Sequence, residues 1–223
     1  MNRRIRNTSA RYARLARSEI RTKTRRIQGQ LWRWRLRNCH SPVYTTDYVS
    51  PFIDEWQLIF EPYLGLPSLR YLEVGTFEGR SLHWFLDFVL TDSNARAIVI
   101  DRFQRAATQA RYEHNLALRH DRSKVTTLYG NSSSLWWDLP DDYYDLIYID
   151  GGHWAGQVLI DAVMAWRKLA PEGILLFDDY EWRPDLALAD RPRAAIDAFL
   201  ELVTSQYTIV SSGYQLAIRK IET

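Results

Sequence analysis

The sequence predicts an α/β fold: a mostly parallel sheet of seven strands, helices on both faces, an antiparallel C-terminal hairpin, and a basic, largely helical N-terminal arm. From Leu69 onward short apolar strands alternate with helical stretches, a pattern that covers a sheet on both faces. Two late strands meet at Ser211-Ser212-Gly213, a hairpin-like turn. Basic charge is confined to one end. Residues 1–40 hold 13 Lys and Arg against a single acid, Glu19, for a net +12, and the remainder carries a net −10.

In the arm, Tyr12, Leu15, Ile20, Ile27, Leu31 and Trp34 fall near helical spacing, interrupted by Gly29 and by residues 38–42. The arm is assigned to 1–47 and the body to 48–223. A helix is expected from Asp54 to about Tyr63, with Trp56, Ile59 and Phe60 on its apolar side and Ser50 as cap ahead of Pro51. Residues 71–74 read as a buried strand, followed by a glycine turn and a helix over 80–90. A strand over 97–100 ends at Asp101, and a helix follows to Leu118. Strands over 125–129 and 145–149 come next, the latter running into Asp150-Gly151-Gly152-His153. A helix over 155–169 leads to Pro171-Glu172-Gly173, which turns the chain into a strand over 174–177. A helix over 193–202 precedes the closing strands, 207–210 and 214–219.

The chain has 223 residues, 46% of them hydrophobic, enough for one sizeable core plus an appendage. Cys39 is the single cysteine, so neither an intrachain disulfide nor a CxxC zinc pair can form. A reducing, cytoplasmic setting fits. No apolar run approaches the roughly 18 residues of a membrane span, and the N-terminus lacks the apolar core of a secretory signal. Its Arg-rich, acid-poor make-up also leaves an organellar transit sequence open. No nucleophilic serine elbow of the hydrolase type is present.

The sharpest local pattern is Glu73-Val74-Gly75-Thr76-Phe77-Glu78-Gly79-Arg80-Ser81, between a strand and a helix. Glycines there bring backbone close to a ligand, and the N–H groups of the helix start favour an anionic group. The spacing departs from G-x-G-x-x-G, which argues against an NAD-dependent enzyme. Asp101 closes the next strand, where a carboxylate accepts both hydroxyls of a ribose; capping the following helix is its bland alternative. Together they point to nucleoside binding.

On these residues the chain resembles class I S-adenosylmethionine-dependent methyltransferases, which have a Rossmann-like sheet. The resemblance spans about Tyr48 to Lys220. It implies that Gly75, Thr76, Phe77 and Gly79 adjoin the methionine part of the cofactor and that Glu73 and Ser81 position its amino and carboxylate groups. It further implies that Asp101 holds the ribose, and that Asn131 and Ser132 of Gly130-Asn131-Ser132 meet adenine. Trp136 and Trp137 are open to stacking on adenine, with core packing the commoner role for at least one.

Asp150 and His153 after the fourth strand, and Asp178-Asp179 after the fifth, fall at the same sheet edge. Three carboxylates in one crevice raise one another's pKa values unless a cation offsets them, and hard divalent cations take oxygen ligands. The alternative is that each acid only caps a helix. This set resembles metal-dependent O-methyltransferases of the catechol type and of the macrocin and mycinamicin type, which share Asp-x-x-His and an Asp-Asp pair. The resemblance implies Mg²⁺, or another divalent cation, on Asp150, Asp178 and Asp179, with His153 as general base and Asp150 also touching the cofactor. Gly152 stands where many such sequences carry a second Asp. The expected acceptor is a hydroxyl of a small molecule or sugar, walled by Trp154, Tyr180 and Trp182. The remaining histidines, among them His83 and His114, show no ligand spacing and read as surface or packing residues.

The arm favours anionic partners. An alternative reading is a nucleic-acid-binding or RNA-modifying methyltransferase that grips phosphates with the arm, using Trp32 and Trp34 between the arginines. Against it stand the acidic body and an Asp-Gly-Gly-His segment unlike the loop of base N-methyltransferases. Attachment to an anionic membrane surface and homo-oligomer contacts are the arm's other openings.

Overall fold

The computed structural model describes Leu36 and residues 39–222. The expected arm helix lies outside them. Seven strands form one sheet: β1 (Arg70–Val74), β2 (Arg96–Asp101), β3 (Val125–Tyr129), β4 (Tyr144–Ile149), β5 (Leu169–Phe177), β6 (Tyr207–Ser212) and β7 (Leu216–Lys220). Their order is β3-β2-β1-β4-β5-β7-β6. The first five run parallel, and β7 is antiparallel to both β5 and β6. Six α-helices accompany them among the described residues: α1 (Ile53–Phe60), α2 (Arg80–Phe88), α3 (Ala106–Ala117), α4 (Ser132–Leu135), α5 (Ala155–Lys168) and α6 (Pro192–Leu202).

The two-residue period of the strands splits the core in two. Tyr71, Val99, Tyr148 and Leu176 pack with Trp56 of α1 and with Leu82 and Phe85 of α2. Leu72, Ile100, Ile147 and Leu175 pack with Val158 and Ala162 of α5 and with Ile196 and Phe199 of α6. Helices on both faces explain why β1 is buried from Tyr71 onward and why β4 is apolar apart from Asp145. The sheet order reverses between β1 and β4, and a crevice opens at such a point, outside the carboxyl ends of the strands.

Three expected boundaries move. β5 begins at Leu169, five residues early. Its pairing with β4 steps from Tyr144–Leu169 to Leu146–Ile174, so the Pro171-Glu172-Gly173 turn survives as a bulge within a longer strand. β6 likewise runs on through Ser212, leaving Gly213 to Gln215 as the turn. Ser50 does not cap α1; it opens a 3-10 turn (Ser50–Phe52), and its hydroxyl accepts from Arg80 Nη2 at 3.0 Å. The carboxylate of Asp47 accepts from the N–H groups of Val49 (3.2 Å) and Ser50 (2.9 Å) at the entry to that turn, and neither the turn nor α1 has a side-chain cap.

Residues 43–45 are tied to the body. The Val43 N–H donates to Asn115 Oδ1 at 2.7 Å, and Tyr44 Oη meets His83 Nδ1 at 2.6 Å. The Thr45 N–H donates to Glu78 Oε2 at 2.6 Å, and Glu78 Oε1 pairs with Arg111. Both His83 and Glu78 are buried, so His83 is a packing residue that holds this segment.

Breaking a buried ion pair from one side costs about 3–5 kcal/mol. Glu78→Ala is expected to destabilise the chain by about that amount in urea unfolding. It should also release residues 43–45 to limited proteolysis before the rest of the body is cut.

Candidate active site

The crevice is built by close backbone approach. The Gly75 N–H donates to Ile100 O at 2.8 Å, and the Asp150 N–H donates to Val74 O at 2.8 Å. The strand ends of β1, β2 and β4 are thereby fixed against one another. Gly75 has φ +84, and a Cβ there would stand 2.0 Å from the carbonyl oxygen of Asp150. Only glycine fits, both for the dihedral and for the space.

The resulting cavity has a volume of about 730 Å³ and is open to solvent. Of the residues expected from sequence, it is lined by Gly75, Phe77, Asp101, Asn131, Ser132, Asp150, His153, Asp178 and Asp179. Glu73, Thr76, Gly79 and Ser81 are buried behind that wall. There Glu73 accepts from the hydroxyls of Ser81 and, at 3.0 Å, Tyr71. Burial pushes the Glu73 carboxyl up to about 7.

Asp101 does not cap α3, whose N-cap is Arg105 with no side-chain cap. Its Oδ2 accepts from the N–H groups of Thr76 (3.0 Å) and Phe77 (3.2 Å), and its Oδ1 accepts from that of Phe103 at 2.6 Å. The acid therefore also shapes the glycine turn. Phe77 takes a left-handed φ of +53, a strained conformation for a side-chain-bearing residue, and packs edge-on against Tyr48 at 5.9 Å. Asn131 caps α4 by accepting from the Ser133 N–H at 3.3 Å. Neither tryptophan expected near adenine lines the crevice. Trp136 is buried and donates to Asp161 at 2.8 Å, while Trp137 is 68% exposed on the outer surface.

At the other end, Asp150, Asp178 and Asp179 offer oxygen atoms within 4.8 Å of one another. None caps a helix; the N-cap of α5 is Trp154, with no side-chain cap. Burial, then repulsion from Asp178 and Asp179, holds the Asp150 carboxyl well above the ordinary carboxylate range. Burial and Asp179 raise Asp178 as well. Asp178 Oδ1 accepts from Tyr148 Oη at 2.9 Å and from Gln215 Nε2, and Gln215 Oε1 in turn accepts from Trp56 Nε1 at 2.6 Å. His153 Nδ1 lies 2.5 Å from Asp179 Oδ2, a contact that raises the imidazole pKa. The His153 ring stacks on Trp182 at 5.0 Å. Trp154 and Trp182 line the crevice as expected; Tyr180 instead donates to Asp197 at 2.8 Å, away from it.

Sequence reasoning missed Tyr148, Gln215 and Tyr214 around the acids, and Tyr48, Phe52, Arg102, Gln104 and Arg105 on the crevice wall. Tyr148 had a usable signal, since it sits two residues before Asp150 on one strand and so on the same face. Tyr48, Phe52, Tyr214 and Gln215 reach the site only through tertiary contacts.

A glycine-lined turn, a strand-end acid and an open crevice at the sheet's reversal define a class I methyltransferase fold. Residues 72–180 match the family model described as a methyltransferase domain. A candidate O-methyltransferase from Klebsiella pneumoniae superposes with a TM-score of 0.63 at 17% identity, covering 86% of this chain and 87% of that one. An O-methyltransferase from Bacillus cereus, in complex with S-adenosylhomocysteine, gives 0.62 at 14% identity over 86% and 90%. MycE, a methyltransferase of the mycinamycin biosynthetic pathway in complex with Mg and S-adenosylhomocysteine, gives 0.57 at 15% over 87% and 55%. No curated protein matches the sequence. The family-model match gives residues 72–180 a methyltransferase domain, and the solved O-methyltransferases share its fold. No helix among the described residues is long and apolar enough to cross a membrane.

Two outcomes follow from this geometry. Gly75→Ala should destabilise the fold by more than about 2 kcal/mol and abolish S-adenosylhomocysteine binding, read by thermal shift with and without ligand. Glu73 favours its neutral form when folded, so its contribution to stability falls as pH rises from about 4.5 to about 7. Glu73→Gln should therefore gain stability over the parent progressively as pH rises from 5, reaching roughly 3 kcal/mol above pH 7 in denaturant titrations.

Proposed function

We propose that the chain is an O-methyltransferase acting on a hydroxyl of a small molecule or sugar, assisted by a divalent cation, with His153 as general base. One observation carries the reading. A single crevice is lined by the nucleoside-side residues Gly75, Asp101 and Asn131 and by the reactive-side residues Asp150, Asp178, Asp179 and His153. The Mg and S-adenosylhomocysteine held by MycE, and the mycinamycin held with them in another crystal, support it by likeness.

The donor set fits a hard cation. Three carboxylates within 4.8 Å, two of them held above their ordinary pKa range, are oxygen ligands short of positive charge. Asp150 and Asp178, with Asp179 beside them, would hold the ion. A bound cation would lower the pKa of an acceptor hydroxyl and orient it.

The chain's own residues supply the rest. Gly75 and Phe77 border the methionine part of the cofactor, Glu73 and Ser81 buttress that turn from behind, and Asp101 takes the ribose. Asn131 and Ser132 border the adenine end. Trp154 and Trp182 offer flat faces to the acceptor. His153 accepts the acceptor's proton as the oxygen attacks the methyl carbon in line; the carbon–sulfur bond breaks and S-adenosylhomocysteine leaves. With the methyl group already activated, holding the reactants in line contributes most of the acceleration.

Calorimetric titration with S-adenosylhomocysteine, with and without Mg²⁺, tests the reading. Binding is expected in both conditions, weakened at least about tenfold by Asp101→Ala and by less than about twofold by His153→Ala. Absence of binding in both conditions would overturn it.

A further inference from the structure

One side chain of α5 ties the loop after β3 to the loop after β4. Gln157 lines the crevice and sits four residues before Asp161, on the same face of the helix. Its amide is engaged at both ends. Nε2 donates to Ser132 Oγ and to Asp161 Oδ2, each at 3.1 Å, and Oε1 accepts from Ser133 Oγ at 3.1 Å. Asp161 is buried, and its Oδ1 accepts from Trp136 Nε1. The segment after β3 therefore stands on α5 at three places, Ser132, Ser133 and Trp136. The same glutamine accounts for Gly152. A Cβ at 152 would stand 3.0 Å from Gln157 Cγ and 3.3 Å from Gln157 Cβ, tighter than packed side chains sit. Gly152 is not among the glycines with positive φ, so the contact with Gln157, and not the backbone, excludes a side chain there. Gln157 fills the space that a second aspartate in this loop would need.

We infer that Gln157 is the positioning residue of the adenine end: it fixes Ser132 and Ser133 so that Asn131 presents its amide to the base. This rests on the cofactor reading above and adds to it the group that sets base specificity. Asn131 Oδ1 is committed to the Ser133 N–H at 3.3 Å, and Ser133 is the residue whose hydroxyl Gln157 holds. With its oxygen so used, Asn131 offers the crevice its Nδ2 hydrogens, which suit an acceptor nitrogen on the amino-bearing edge of adenine. Hypoxanthine carries a donor and a carbonyl on that edge. A fixed amide therefore tells the two bases apart, and a loose one that turns to suit either does not.

Calorimetric titration of the full chain with S-adenosylhomocysteine and with S-inosylhomocysteine reads this without an acceptor. The parent is expected to prefer the adenine nucleoside by at least about tenfold. Gln157→Met keeps the length and the packing of the side chain and loses its hydrogen bonds; the preference should fall below about threefold. Gly152→Ala, which forces Gln157 to move, should lower the preference as well. It should also weaken S-adenosylhomocysteine binding at least about fivefold in the parent and less than about twofold in a Gln157→Ala background, where Cγ is gone. A Gln157→Met chain that loses affinity for both nucleosides equally would overturn the assignment, since a purely structural side chain leaves the ratio unchanged. So would a Gly152→Ala cost that is the same in both backgrounds, or a parent that binds the two nucleosides alike. A parent that binds neither nucleoside would bring down the cofactor reading itself, and this assignment with it.

Discussion

The contact between the β1 turn and the β4 strand end is the constraint on which the rest of the site depends. The Asp150 carbonyl sits where a side chain at Gly75 would have to be. That approach joins the two halves of the crevice, since Gly75 opens the nucleoside side and Asp150 opens the reactive side. The hydrogen bonds from Gly75 to β2 and from Asp150 to β1 set the three strand ends in one plane. Each loop then needs only to carry the right side chain. This division is general in open parallel sheets, where the scaffold sets position and the loops set chemistry.

Around the reactive half the fold gathers three carboxylates at one end of an open crevice. Tyr148 and Gln215 give hydrogen bonds to Asp178 and Tyr214 gives one to Asp179, which partly replaces the lost water. These contacts soften the cost of burying carboxylates without cancelling it, since Asp150 and Asp178 still titrate above their ordinary range. An acidic site that is braced yet short of positive charge is ready to receive a cation.

The sheet and most strand boundaries were legible in the sequence because buried parallel strands are apolar runs separated by helical periods. The strand-end acids and His153 were legible because topology alone puts those loops on one edge. The braces were not. Gln215 and Trp56 meet across 159 residues, and Gln215 sits in a turn whose composition says only that the chain reverses. Ser50 is not a cap because a 3-10 turn intervenes before α1, and Asp47 instead holds the N–H groups at the entry to that turn, an arrangement that spacing leaves undecided. Trp136 and Trp137 are adjacent and chemically alike, yet one is buried on Asp161 and the other faces outward; a pair of neighbours on a short helical turn cannot both face the core.

The place of Gln215 and Tyr214 in the antiparallel hairpin has a consequence for the order of assembly. The glycine turn, Asp101 and Asp150 follow β1, β2 and β4, all of which precede β5 in the chain. Asp178 and Asp179 gain Gln215 and Tyr214 as partners only when β7 docks against β5, with β6 pairing beside it. During synthesis the nucleoside-side residues therefore emerge first, and the full set of contacts around the acids needs the last strands to pair.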